Sequence, residues 1–252
     1  LRRYLRSKAT YSSFQRPGGT PAAVRLTALS PSASQLLPTL VALEHAGAGD
    51  SGTTAIATVR AATGPAPTDP FARRTLALAE LEANNPAIAA PLLDGLLAET
   101  PDDPDLLRWR AQAARAQRAP QGRALALDLL GRAMVAAPND WRVLHAYARL
   151  QRGSGGALPN HALEALLRAH ELAPQVSEIV LDTALALSQA GRLAEAAQVL
   201  EPLAWAPHGG QAAGIAQRML ARARAGDRAG LLAEVAELRR QQGARIAAVQ
   251  SR

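Results

Sequence analysis

Five histidines, a scatter of serines and several paired carboxylates are the residues of this chain that could do chemistry, and their spacing decides whether they do. Metal-assisted hydrolysis on a helix needs two imidazoles one turn apart with a glutamate between them, H-E-x-x-H. Both rings then face one ion, and the carboxylate can act as base. His45, His145, His161, His170 and His208 do not meet that need: Glu44-His45 has no second histidine at 48 or 49, and His161-x-x-Glu164 is followed by Ala165. Cysteine is absent, which removes thiolate catalysis, Cys-ligated zinc and disulfides together. Gly153-Ser154-Gly155-Gly156 lacks the Gly-Lys-Ser/Thr ending and the preceding hydrophobic strand of a phosphate-cradling loop. Ser12 and Ser13 have no His/Asp frame, and Asp102 and Asp103 stand where they would cap a helix. No catalytic residue, cofactor or metal site is indicated, and the chain reads as a non-enzyme.

The elements that carry these residues are helical. Of 252 residues 48% are hydrophobic and only 3% aromatic, so the interior must be built from Ala, Leu and Val. Ala and Leu lead the helix scale, whereas strands favour β-branched and aromatic residues. Proline recurs at 101, 138, 174 and 207, each time closing an apolar run. Ala89, Ala126, Ala162 and Ala196 precede these prolines at nearly constant distance, as two closely crossing helices require. The spacing predicts helices over 71–84, 86–99, 104–117, 121–136, 140–152, 160–172, 175–190 and 193–204, with a further pair over 210–225 and 228–242. Asn84-Asn85-Pro86, Asp102-Asp103-Pro104, Asn139-Asp140, Gly191 and Gly226-Asp227 punctuate them, and Pro91 and Pro202 should kink or trim the helices they fall in.

The unit Ser177 to Pro207 holds Ala184, then Gly191-Arg192-Leu193-Ala194-Glu195-Ala196, then Leu200 and Leu203. Ala77, Ala111 and Ala148 match Ala184 in three earlier units. This pattern resembles the tetratricopeptide repeat (TPR), a helix-turn-helix unit of roughly 34 residues. The resemblance covers about residues 70–207. It departs from the family in lacking most of the expected aromatics and in carrying insertions at Gln117–Gln121 and Gly153–Pro159. It implies an all-α solenoid, a right-handed superhelix of helical hairpins in which stacked neighbours bury apolar faces that no single hairpin could hide.

In such arrays the first helix of each hairpin lines a concave groove. Carried over position by position, the groove residues are Arg74 in the first unit, Arg108, Gln112 and Arg115 in the second, and Arg142, His145, Arg149 and Arg152 in the third; the fourth supplies Leu181 and Leu185 beside Glu178 and Ser188. A basic wall beside an apolar one fits a protein or peptide partner that is acidic in part, because guanidinium forks bind carboxylates in bidentate fashion. The same arginine spacing also describes the solvated face of an Ala-rich helix. Trp109, Trp141 and Trp205 are expected to pack between repeats.

The formal charge is +7 and sits at the ends: residues 1–60 hold seven Lys/Arg against Glu44 and Asp50, and residues 217–252 hold eight Arg against three acids. A nucleic-acid partner is not indicated. Base-reading repeats would set polar pairs at one position per unit, and Gln112 has no such counterpart at Arg149 or Leu185. No apolar run is long enough to span a membrane. Without cysteines, the chain fits a bacterial cytoplasm or periplasm equally.

Residues 1–60 read differently, as an N-terminal mixed or extended segment. Arg16–Pro21 is a loop, Val24–Leu29 alternates like a strand, and Ser34–Ala46 is a helix interrupted by Pro38. Gly47–Pro70 is a linker with a short helix around Ala55–Ala62. Leu1-x-x-Tyr4-Leu5-Arg6, the proline loop and Val24-x-Leu26-x-x-Leu29-Ser30-Pro31 look like the region that follows the gluzincin-type metallopeptidase domain in certain bacterial repeat proteins. That resemblance implies an accessory role beside a zinc domain lying upstream. The expected division is a segment over 1–60 that ends such a domain and links it onward, a repeat domain over 61–243, and a tail over 244–252.

Overall fold

Proline opens five helices of this chain, at Pro31, Pro70, Pro86, Pro104 and Pro120, positions where its missing N–H leaves no bond unmade. The computed structural model describes residues 29–45, 50–64, 67–116, 120–152 and 157–250. Twelve helices make up the described residues: α1 (Pro31–His45), α2 (Asp50–Thr63), α3 (Pro70–Glu82), α4 (Pro86–Glu99), α5 (Pro104–Ala116), α6 (Pro120–Ala136), α7 (Trp141–Arg152), α8 (Asn160–Leu172), α9 (Ser177–Gln189), α10 (Leu193–Ala204), α11 (Gly210–Arg224) and α12 (Arg228–Gln250). No strand occurs among the described residues.

Local chemistry sets the helix starts. Asp69 accepts from the Ala72 amide at 2.8 Å, Asp103 from Asp105 and Leu106 at 3.0 Å, Asp140 from Arg142 at 2.8 Å, and Asp227 from Gly230 at 2.8 Å. Each carboxylate satisfies amides that the first turn leaves without a partner. Three hairpin turns end their first helix in the same way. Asn85, Arg192 and Asp227 donate to the carbonyls of Glu80, Leu187 and Arg222 at 2.8, 2.8 and 2.9 Å. The residue before each, Asn84, Gly191 or Gly226, takes a positive φ of 58°, 79° or 71°. The turn segments of the second and third hairpins, 117–119 and 153–156, lie outside the described residues. Pro91 and Pro202 end no helix: α4 runs on to Glu99 and α10 to Ala204. Helix α12 continues to Gln250, past the end expected at 242.

Helices pack chiefly on their chain neighbours, and the first helices of successive hairpins touch directly at α3–α5, α5–α7 and α9–α11. Ala77, Ala89, Ala113, Ala126, Ala133, Ala148, Ala162, Ala184 and Ala196 are fully buried at these crossings. At Gly122 in α6 a Cβ would lie 2.4 Å from the Ala114 carbonyl oxygen, so α5 and α6 approach there more closely than any side chain allows.

The N-terminal stretch differs from its expected form. The strand over Val24–Leu29 falls outside the described residues except for Leu29, and the Arg16–Pro21 loop falls wholly outside. Residues 31–63, expected to hold an interrupted helix over Ser34–Ala46 and a linker with a short helix around Ala55–Ala62, form the full helical pair α1 and α2, which packs on α3. Pro38 lies inside α1 without ending it. Leu36, Leu40 and Leu43 of α1 and Ala55 and Val59 of α2 recur at helical spacing and are buried, four of them in one cluster with Leu76 and Leu93. Arg60 then forks onto Glu80 of α3 with two bonds of 2.7 Å. The Gly, Thr and Pro of this stretch mask that periodicity. Helix α2 spans residue 60, the expected boundary between the N-terminal segment and the repeat domain.

Candidate functional site

A cleft of about 670 Å³ runs across the first helices of the array. Leu43 and Glu44 of α1 and Leu78 and Glu82 of α3 line one end; Arg108, Gln112 and Arg115 of α5 and Arg142, His145 and Arg149 of α7 line the middle; Val176 and Glu178 close the other end. The α5 residues fall at i, i+4 and i+7, which places them on one helix face. Arg142, His145 and Arg149 fall at i, i+3 and i+7 and so share one face of α7.

The remaining groove residues read from the sequence lie outside this lining. Arg74 stands over the Trp109 ring at 4.8 Å and pairs with Asp103 at 2.8 Å and Asp105 at 3.1 Å. Arg152 is buried and forks onto Asp182, reaching its Oδ1 at 2.5 Å and its backbone oxygen at 3.1 Å. Leu185 is buried, and Leu181 is half-buried against the core of α9 and its neighbours. Trp109 is the largest fully buried side chain, and Trp141 packs against the core, as expected of residues between repeats. Trp205 does not: it is the residue that ends α10, beyond the helix's last turn, and it is 65% exposed.

Ion pairs consume much of the basic wall. Asp105 takes Arg108 at 3.0 Å and Arg142 at 3.6 Å in addition to Arg74, so one carboxylate serves guanidiniums from three hairpins. Arg149 pairs with Glu178. His145, 6% exposed, donates from Nε2 to Asp182 Oδ2 at 2.9 Å. His145, Glu178 and Asp182 bring three possible ligand atoms within 4.8 Å of one another. Arg149 and Arg152 already answer both carboxylates, so a divalent cation would meet two guanidiniums there, and the cluster works as a link between α7 and α9. The paired guanidinium and imidazole hold the Asp182 carboxyl well below the usual carboxylate range against the opposing effect of burial.

Arg115 has no carboxylate within ion-pairing distance among the described residues. Its guanidinium opens to the cleft, yet the surrounding walls depress its pKa by desolvation, and the Arg149 charge depresses it further. Glu82 is the acidic counterpart: desolvation raises its pKa, against the Arg108 charge and a hydrogen bond to Gln112.

No family model and no curated protein matches the sequence. Among solved structures, a thermophilic TPR protein of Thermus thermophilus matches with a TM-score of 0.59 over 74% of this chain and 97% of that one, at 22% identity. The fold is that of the tetratricopeptide repeat. Its TPR hairpins here are α3–α4, α5–α6, α7–α8, α9–α10 and α11–α12, and the first helices of the first four reach the cleft or its edge. Helix α1 adds Leu43 and Glu44 from outside the region of the sequence resemblance. Sequence reading missed those two because the helix expected over Ser34–Ala46 was set outside the repeat array. Leu78 and Glu82 were within reach of it, since they follow Arg74 at i+4 and i+8 on the same helix.

Proposed function

We propose that this chain is a non-catalytic interaction module whose cleft takes a peptide segment of another protein, acidic in part. One observation carries the reading: first helices of successive hairpins wall a single cleft, so that residues from Leu43 to Glu178 face one surface. Such a groove suits an extended or helical segment, with apolar contacts supplying affinity and fixed charges supplying selection. The TPR fold supports a protein partner in general terms, and the guanidiniums of α5 and α7 favour carboxylates within it. No reaction is assigned to the cleft, because its histidine is committed to Asp182 and the link to α9. No described helix is long and apolar enough to cross a membrane.

The test is site-specific photocrosslinking in extracts of the native host. A benzophenone side chain replaces either Gln112, in the cleft, or Val135, which is 85% exposed on α6 outside it. Crosslinked partner peptides mapped by mass spectrometry at 112 and not at 135 support the reading. Adducts at 135 with none at 112 place the interaction on the other face and sink it.

A further inference from the structure

The basic wall inferred from the sequence is largely spent within the molecule. Of the four arginines lining the cleft, Arg108 and Arg142 share Asp105, and Arg149 holds Glu178. Arg115 alone among them has no ion pair or hydrogen bond with any described residue. It stands on α5, and Arg149 faces it from α7, which packs directly on α5. Two like charges therefore border the middle of the cleft, and among the described residues only Arg149 has a carboxylate partner.

The surroundings narrow what the anion can be. Leu43 and Leu78 lie toward one end of the cleft, and Ala146, Leu150 and Val176 toward the other, so apolar surface flanks Arg115 on both sides. Helix α5 is the middle of the five first helices α1, α3, α5, α7 and α9. A chain terminus seated at Arg115 would leave half the cleft empty, whereas a chain passing through can fill both ends. Glu44 and Glu82 at the α1–α3 end, and Glu178 at the α9 end, repel further acids on either side.

We propose that Arg115, with Arg149 beside it, anchors one acidic side chain in the interior of a bound peptide that carries apolar residues on both flanks. The proposal rests on the cleft being the binding surface and names what it selects: a lone Asp or Glu between hydrophobic residues, in place of an acidic run or a free C-terminus. The carboxylate would accept both N–H groups of one fork edge of Arg115, a geometry that lysine cannot reproduce.

The experiment uses the full chain, immobilised, and pools of 12-residue peptides with randomised Leu, Ile, Val, Ala and Ser flanks. Four pools are compared: central Glu with an amidated end, central Gln amidated, central Gln with a free carboxylate, and a central run of four Glu amidated. Wild-type protein should enrich the single-Glu pool about tenfold over the Gln pool, the factor expected of one charge-assisted bond. Arg115→Ala should erase that preference while still retaining apolar peptides, and Arg115→Lys should keep only part of it. Because Arg115 makes no ion pair or hydrogen bond with any described residue, the melting midpoint should not move in either variant. An undiminished Glu preference in Arg115→Ala, or preferential capture of the free-carboxylate or four-Glu pool, overturns the proposal. Failure of wild-type protein to retain any pool counts against the cleft as a peptide site, a result distinct from retention without Glu preference, which removes only the anchor.

Discussion

Asp182 shows what one side chain does at the joint between two repeats. It accepts from Arg152 and His145 of the preceding hairpin, and all three groups are largely withdrawn from water. Removing one partner of a buried pair leaves the other charge without compensation, at a cost of about 3–5 kcal/mol. Asp182→Ala should therefore lower the unfolding free energy measured in urea strongly, while Glu178→Ala, whose pair with Arg149 is solvent-exposed, should lower it by less than about 1 kcal/mol. The pH dependence has a definite sign. Because the folded pKa of Asp182 lies below its unfolded value, its contribution is present above the ordinary carboxylate range and disappears as pH falls toward the folded value. Unfolding free energies measured from pH 7 down to pH 2.5 should fall more steeply for the wild type than for Asp182→Asn. Equal slopes would remove Asp182 from the acid response. Residues such as this were the least legible part of the sequence. Arg152 has the right helical phase for a groove residue, but its partner lies 30 positions away on another helix, and spacing within one helix says nothing about it. The facing of Arg108, Gln112 and Arg115 was legible because it depends only on their own helix.

At the scale of elements, the helix limits could be read closely because they depend on local chemistry: proline at the first position, aspartate at the cap, and glycine or asparagine at the left-handed turn. Gly191→Ala should cost about 1 kcal/mol, since the added Cβ meets no atom and only the positive φ opposes it. Gly122→Ala is opposed by a different cause, a Cβ set against the Ala114 carbonyl, and should cost about 1–3 kcal/mol by forcing α5 and α6 apart. Chemical denaturation of the two variants checks the order; a smaller loss at 122 than at 191 would contradict the close approach. The pair α1–α2 is legible only in part, as a helix over Ser34–Ala46 and a short one around Ala55–Ala62, for the opposite reason. Its helical identity depends on tertiary partners, above all Leu76 and the Arg60–Glu80 fork, and its own composition favours turns.

The whole molecule is a line of joints, and in such a line damage at one end is expected to stay local. Arg60→Ala leaves Glu80 buried with Asn85 as its remaining polar side-chain partner. It should raise amide hydrogen exchange through α1 and α2 while α9 and α10 keep their protection. Uniform loss of protection along the chain would mean that the array melts as one unit. At the far end, Arg228 of α12 donates to the Ser188 and Gln189 carbonyls at 3.0 and 2.6 Å, closing the C-terminus of α9 where the helix dipole is negative.

One carboxylate does not respect that nearest-neighbour rule. Asp105 grips guanidiniums rooted in three consecutive hairpins, so it behaves as a rivet through three plates where the other fastenings described above join two. An event that draws Arg142 toward a visitor in the cleft would take from Asp105 its longest contact, leaving it to Arg74 and Arg108. Asp105→Asn would take away the charge that these three guanidiniums share, while the buried alanine crossings keep the hairpins stacked.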